Sequence, residues 1–278
     1  MTPLDATFVA RATPTGSARH LSYVFAPPPV RASLLGVYAL LAEWQSLLDP
    51  STERTVAQIK LAWWHEEMTR LSEGTPVHPV SRYLASQPGA AAAHFMILTE
   101  AVEAAIVEIG GVPLELGAQL GAHSTALIAG PLRVASLIAG AQPDQAGLDR
   151  CTQALAVAQY LARALREYRR DARCGRVPFA VDELLQAGIE NADLLSPEAP
   201  PRLQTYLDGL RTRADECYAN AARDVPLAAR SGLRHLLVLA ALGRKQLQAQ
   251  GGNSAFGALK DMLLAWTTAR RAAPSEHL

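Results

Sequence analysis

Glu167 and Asp171 stand four residues apart, and on a helix that spacing puts both carboxylates on one face. A pair so placed is suited to Mg²⁺, a hard cation that takes carboxylate oxygens together with the oxygens of a bound diphosphate. Arg163 and Arg170 crowd the same face and compete for the carboxylates. One reading is therefore a metal site. A second is a network of ion pairs in which guanidinium groups stand in for metal charge, since partnerless acids inside a helical cavity are costly. A third uses the i, i+3, i+7 spacing of Arg163, Arg166 and Arg170, which allows one basic stripe to grip a diphosphate directly through bidentate contacts.

These residues need a long helix to carry them. Apolar residues make up 49% of the 278-residue chain, alanine and leucine dominate, and neither β-branched runs nor strand alternation occur. The pattern predicts an all-α protein with one domain. Residues 1–20 read as a loose N-terminal arm, 21–271 as the helical domain and 272–278 as a tail. Helices are expected from Arg31 to Leu48, Thr52 to Ser72, a short one after His78, then 91–109 and 114–140. The last of these should kink at Gly130-Pro131. A long helix over 145–173 carries the acidic pair. An extended link follows at Gly175–Phe179, then a short helix from Val181 to Gln186 and helices over 202–223, 226–249 and 254–271.

Composition excludes several classes. The formal net charge is zero, so nucleic acid is not an expected partner. Only Lys60, Lys245 and Lys260 are lysines, leaving 23 of the 26 basic residues as arginine, a usage expected of GC-rich bacterial coding. Cys151, Cys174 and Cys217 have neither disulfide nor zinc spacing. No signal-peptide pattern opens the chain and no apolar run is long enough to span a bilayer. A cytoplasmic protein is expected, with peripheral contact at the inner membrane left open.

Three segments then fall in a telling order. Arg31 and the stretch Tyr38–Asp49 come first, Lys60-Leu-Ala-Trp-Trp-His-Glu-Glu67 with Gly74-Thr-Pro-Val-His-Pro-Val80 second, and Asp171-Ala-Arg-Cys-Gly-Arg-Val-Pro-Phe179 with Asp182-Glu-Leu third. Over roughly residues 20 to 265 this resembles the squalene/phytoene synthase family. The resemblance implies a single-domain isoprenoid-synthase helical bundle around a central apolar cavity. It also implies head-to-head joining of prenyl diphosphates with Mg²⁺ held by two Asp-rich motifs.

Carried over, the first motif falls on Gln45, Ser46 and Asp49, and the second on Glu167, Arg170 and Asp171, with Arg163 where the family has asparagine. Three of six acids are thereby missing. The pattern resembles the divergent branch that includes a respiratory complex I assembly factor, which keeps the fold and loses the aspartates. An isoprenoid diphosphate, another apolar lipid or a respiratory-complex protein is the partner implied. If the chain is instead a working synthase, Asp49, Glu167 and Asp171 are its reduced Mg²⁺ set.

Other candidates weigh toward structure. Tyr38, Trp44 and Tyr160 are expected to line the cavity or to be plain core aromatics. Trp63 and Trp64 read as packing. His65-Glu66-Glu67 is no zinc helix, because position 69 is Thr69. His123 and Ser124 lack a third triad member, and Cys174 is a bystander.

Overall fold

The computed structural model describes residues 4–139, 145–249 and 255–273; the end of the expected tail, 274–278, lies outside them. Among these, the helices in chain order are α1 (Ala6–Ala12), α2 (Ala18–Val24), α3 (Pro28–Leu48), α4 (Arg54–Ser72), α5 (Pro79–Ala85), α6 (Ala92–Gly110) and α7 (Gly117–Ser124). A π-helical turn, Thr125–Ala129, leads into α8 (Gly130–Ile138). Then follow α9 (Gln145–Arg173), α10 (Val181–Gln186), α11 (Asn191–Leu195), α12 (Pro201–Arg223), a 3₁₀ turn at Leu227–Ala229, α13 (Arg234–Gln248) and α14 (Ala255–Ala272). The described residues contain no strand, only one isolated parallel bridge between Leu114 and Ala180. The fold is all-α, as expected.

Helix α3 begins on Pro28 because proline is tolerated in a first turn, where its missing N–H is needed by nothing. It is buried along most of its length, from Leu34 and Val37 through Trp44 to Leu48, so it runs through the core. Helix α9, with 29 residues, reaches about 44 Å at 1.5 Å per residue. Helix α12 packs along α9, α4 along α6, α8 on α3, and α13 against α12, α14 and α2.

The Trp-Trp segment explains itself in packing. Glu67 is wholly buried, yet its carboxylate accepts from the backbone N–H groups of Val77 (3.0 Å) and His78 (2.8 Å) and from Arg70 Nε (2.9 Å). It thereby pins the Gly74–His78 loop back onto α4. His78 in turn stacks edge-on to Trp64 at 4.6 Å, while Trp63 stays half-exposed. Trp64 is a core residue; Trp63 is not. His65 is at the surface, 3.1 Å from Glu103.

Four expectations need correction. Within the expected arm 1–20, the described residues 4–20 are not loose: α1 and the start of α2 occupy much of that stretch, Asp5 and Ser17 cap them, and Ala12 is fully buried. Short apolar runs between caps gave little periodicity to read. The break expected at Gly130-Pro131 is taken up one turn earlier by the π-helical residues, with Gly130 N–H bonding Thr125 O. A wider turn relieves the clash that a proline ring makes with the preceding carbonyls. The helix expected over 226–249 divides at Pro226 and Gly232 into a 3₁₀ turn and α13. Helix α11 was not expected; its single turn is too short for a periodic signal.

Candidate functional site

Helices α3 and α9 face each other across a cavity of about 460 Å³. From α3 it is lined by Tyr38, Leu41, Trp44, Gln45, Leu48 and Asp49, a spacing of three and four that keeps one face inward. From α9 it receives Gln159, Ala162, Arg163, Arg166 and Glu167. Leu127, Ile128 and Leu132 close one wall, and Tyr218, Leu239 and Gly243 another. Gly243 is there for close approach, since a Cβ at its position would lie 2.6 Å from the Tyr218 ring. Leu127, Ile128, Leu132 and Leu239 make apolar walls, and Arg19, Gln45, Arg163, Arg166 and Glu167 bring polar groups to the lining.

Arg19 of α2 is the polar group that sequence reading missed. Its Nη2 donates to Gln45 Oε1 at 2.5 Å, and its guanidinium lies 5.7 Å from the centre of the Tyr38 ring. Burial holds its pKa below the usual arginine value, and no carboxylate partner offsets it among the described residues. Tyr38 is buried too, its hydroxyl 2.7 Å from Ser22 Oγ, and burial pushes it up to about 12. Trp44 Nε1, also buried, has no hydrogen-bond partner among the described residues. No pattern in the first 20 residues announces Arg19, because α2 is placed by its contacts with α3, α13 and α14.

The carboxylates do not converge. Asp49, at the end of α3, accepts from the Ser51 hydroxyl (2.5 Å) and backbone (2.8 Å) and pairs with Arg170. The Ser51 hydroxyl first, then its N–H and Arg170, hold the Asp49 carboxyl below the usual range. Glu167 faces the cavity beside Arg163 and Arg166. Asp171 instead faces a separate small recess of about 30 Å³, shared with Glu108, His123, Tyr160, Arg163 and Arg176. Arg176 Nη2 stands 3.2 Å from Asp171 Oδ1, and burial raises the Asp171 pKa despite the arginines.

Arg163 bridges both spaces, and its partner is Glu108 of α6 at 2.6 Å, not the acids of its own helix. His123 Nε2 lies 3.1 Å from the other Glu108 oxygen. Burial pushes the Glu108 carboxyl up, but Arg163 and then His123 outweigh it and hold it below the usual range. The ion-pair network expected from sequence thus forms with different partners. Glu108, on a helix with no motif, was missed.

The link after α9 completes this arrangement. Gly175 adopts φ +72°, a left-handed conformation that glycine enters without a Cβ clash. The turn brings Arg176 N–H to Asp171 O (2.9 Å) and Arg176 Nη1 to Leu48 O (2.9 Å), tying the end of α9 to the end of α3. Cys174 Sγ, 3.7 Å from Pro50 O, takes no further part.

Some expected site residues therefore lie elsewhere. Tyr160 is buried beside His123 and Arg163 in the small recess and does not line the main cavity. Ser46 turns to the opposite face of α3, toward Trp63 and Trp64, and donates to Glu43 O at 2.7 Å. Arg170 is spent on Asp49, so Arg163, Arg166 and Arg170 do not act as one stripe. The Mg²⁺ set of Asp49, Glu167 and Asp171 fits poorly as well. Asp49 and Asp171 each face an arginine, Asp171 opens on another recess, and no three His, Cys, Asp or Glu side chains among the described residues are grouped to hold a metal.

Comparison with known proteins agrees with this architecture. A dehydrosqualene synthase solved with ligand superposes with a TM-score of 0.72 over 95% of this chain and 96% of its own, at 14% identity. The squalene synthase HpnC from Alicyclobacillus acidocaldarius gives a TM-score of 0.65 over 87% and 90%, at 21% identity. At those identities the likeness is one of fold. No curated protein matches the sequence. The family model described as squalene/phytoene synthase matches residues 13–254, nearly the whole helical bundle, and the chain belongs to that family.

Proposed function

We propose that this protein binds an isoprenoid-like amphiphile, with the hydrocarbon in the α3–α9 cavity and an anionic head group at Arg19, Arg166 and Gln45, and that it has lost metal-dependent ionisation of a diphosphate. The observation that carries this reading is the division of labour among the charges. Asp49 and Asp171 each face an arginine, and Glu108 is held by Arg163, whereas Arg19 and Arg166 line the cavity without a paired acid among the described residues. Arg19 is partly buried and Arg166 is exposed, and a guanidinium that lacks a counter-charge favours an anion beside it. The apolar walls supply the complementary space for a chain.

Ionising a prenyl diphosphate needs divalent charge on the leaving oxygens. Three carboxylates that face different spaces do not offer it. The divergent branch with lost aspartates is the part of the family that best fits this charge pattern. A role as an assembly partner for a respiratory complex belongs to the same reading and does not need turnover.

Isothermal titration with farnesyl diphosphate, with and without Mg²⁺, tests the proposal. Micromolar binding unchanged by Mg²⁺ is expected. Mg²⁺-dependent binding followed by release of diphosphate would overturn it in favour of a working prenyl synthase. Absence of binding in both titrations would also overturn it and leave the fold as a protein-binding scaffold.

A further inference from the structure

Helix α14 is two-faced in an unusual sense. Its inner face is small: Ala265, Ala269 and Ala272 are buried where it packs on α13 and α2. Its large apolar residues point the other way. Leu259, Met262, Leu263 and Trp266 are between 43% and 67% exposed. Leu259, Leu263, Trp266 and Arg270 fall at i, i+4, i+7 and i+11, so they form one ridge along the helix, with Met262 beside it. Four large apolar side chains on one exposed ridge exceed the scattered exposure that a soluble surface normally shows.

The charges select among occupants. Arg270 lies over the Trp266 ring at 5.3 Å, and Lys260, Arg270 and Arg271 are exposed. The single acid of the helix, Asp261, is taken by Lys245 at 2.6 Å. The outward charge of α14 is therefore wholly positive among its described residues, although the chain as a whole is neutral. A protein groove complementary to this ridge would need its own acids at matching positions. A bilayer with anionic head groups supplies negative charge at any register and an apolar interior for leucine, methionine and tryptophan.

We infer that α14 is a membrane-docking helix that lies in the interface of an anionic bilayer. Tryptophan suits the head-group level, because its ring is apolar and its indole N–H stays hydrated. Arginine and lysine stems extend along the apolar face and keep their heads among lipid phosphates. No helix of the described residues is long and apolar enough to cross a membrane, so the contact is with one leaflet. This inference stands apart from the reading of the cavity: it rests on side chains of α14 that do not line the cavity and needs no ligand.

The test is sedimentation of the full chain with vesicles of phosphatidylcholine alone and with 30% phosphatidylglycerol or cardiolipin, about a third of the lipid being anionic. Binding to the anionic vesicles only, weakened by salt, is expected. Arg270→Glu with Arg271→Glu should lower partitioning by at least about 30-fold, at about 1 kcal/mol for each basic charge lost near the surface. Leu263→Ser with Trp266→Ser should abolish it without lowering the melting temperature, since both side chains are exposed. Equal binding by wild type and both double variants would overturn the inference, as would failure to bind any vesicle. A dimer in light scattering that Leu263→Ser with Trp266→Ser dissociates, with no vesicle binding, would assign the ridge to a second copy instead.

Discussion

Arg163 of α9 and Glu108 of α6 form a nearly buried ion pair, with Arg163 Nη2 2.6 Å from Glu108 Oε1. Arg163, which by resemblance replaces an asparagine ahead of the second acidic motif, thus draws its counter-charge from a residue 55 positions earlier in the chain. His123 supports the same carboxylate from α7. The pair and His123 lock three helices, α6, α7 and α9, together.

Breaking that pair removes the main counter-charge of a mostly buried guanidinium. Glu108→Gln is expected to destabilise the fold by about 3–5 kcal/mol, the usual cost of removing one partner of a buried pair. Glu108→Gln with Arg163→Gln should recover a large part of the loss. Chemical denaturation of the two variants checks this, and additive losses in the double variant would count against a coupled pair.

Arg166 and Arg19 should carry head-group affinity. Arg166→Ala and Arg19→Ala are each expected to weaken farnesyl diphosphate binding by about tenfold, near 1.4 kcal/mol. Arg170→Ala, whose side chain is engaged by Asp49, should change it little. Titration calorimetry of the three variants reads the difference directly.

Gly243 lines the cavity against Tyr218. A Cβ there would press on the buried Tyr218 ring at 2.6 Å, so Gly243→Ala forces the ring to shift. A cost of about 1–3 kcal/mol is expected, together with weaker uptake of long-chain ligands. Thermal melting and binding of farnesyl against geranyl diphosphate separate the two effects.

His235 predicts the acid limb of stability. It is fully buried in α13, with Ser136 as its side-chain neighbour at 3.4 Å, and burial lowers its pKa from 6.5 to about 3. The unfolded chain therefore binds a proton that the folded chain refuses throughout that window. The contribution is present above pH 6.5 and is lost as pH falls toward 3, by about 2 kcal/mol between pH 6.5 and 5. His235→Gln should flatten the fall in melting temperature across that range, and an unchanged slope would assign it to other groups.

The helices with long periodic faces were readable because periodicity is a local property. The α3, α4, α9 and α12 segments each repeat apolar positions over four turns or more, and proline or glycine marks most of their ends. The short helices α1, α2 and α11 offered one or two turns, too few for a period to show. The same limit concealed Arg19, a site residue on a seven-residue helix.

Among the candidate residues, Tyr38, Trp44 and Gln45 reach the cavity as a face of α3 requires. Ser46, one residue further, rotates by about 100° and leaves it. Glu167 and Asp171 share a helix face by spacing, yet the Gly175 turn and Arg176 give Asp171 a separate recess. Helical spacing gives direction to within a turn; the neighbours decide what is found there.

The sequence by itself determined the all-α class, the family and the presence of arginines among the expected acids, because composition, period and motif order are written along one chain. Which charge faces which was decided by tertiary structure alone. Arg163 meets Glu108, Arg170 meets Asp49 and Arg176 meets the Leu48 carbonyl only once α3, α6 and α9 are side by side. Electrostatic pairing depends on distance through space, and residues 55 to 128 positions apart have no fixed distance until the helices pack.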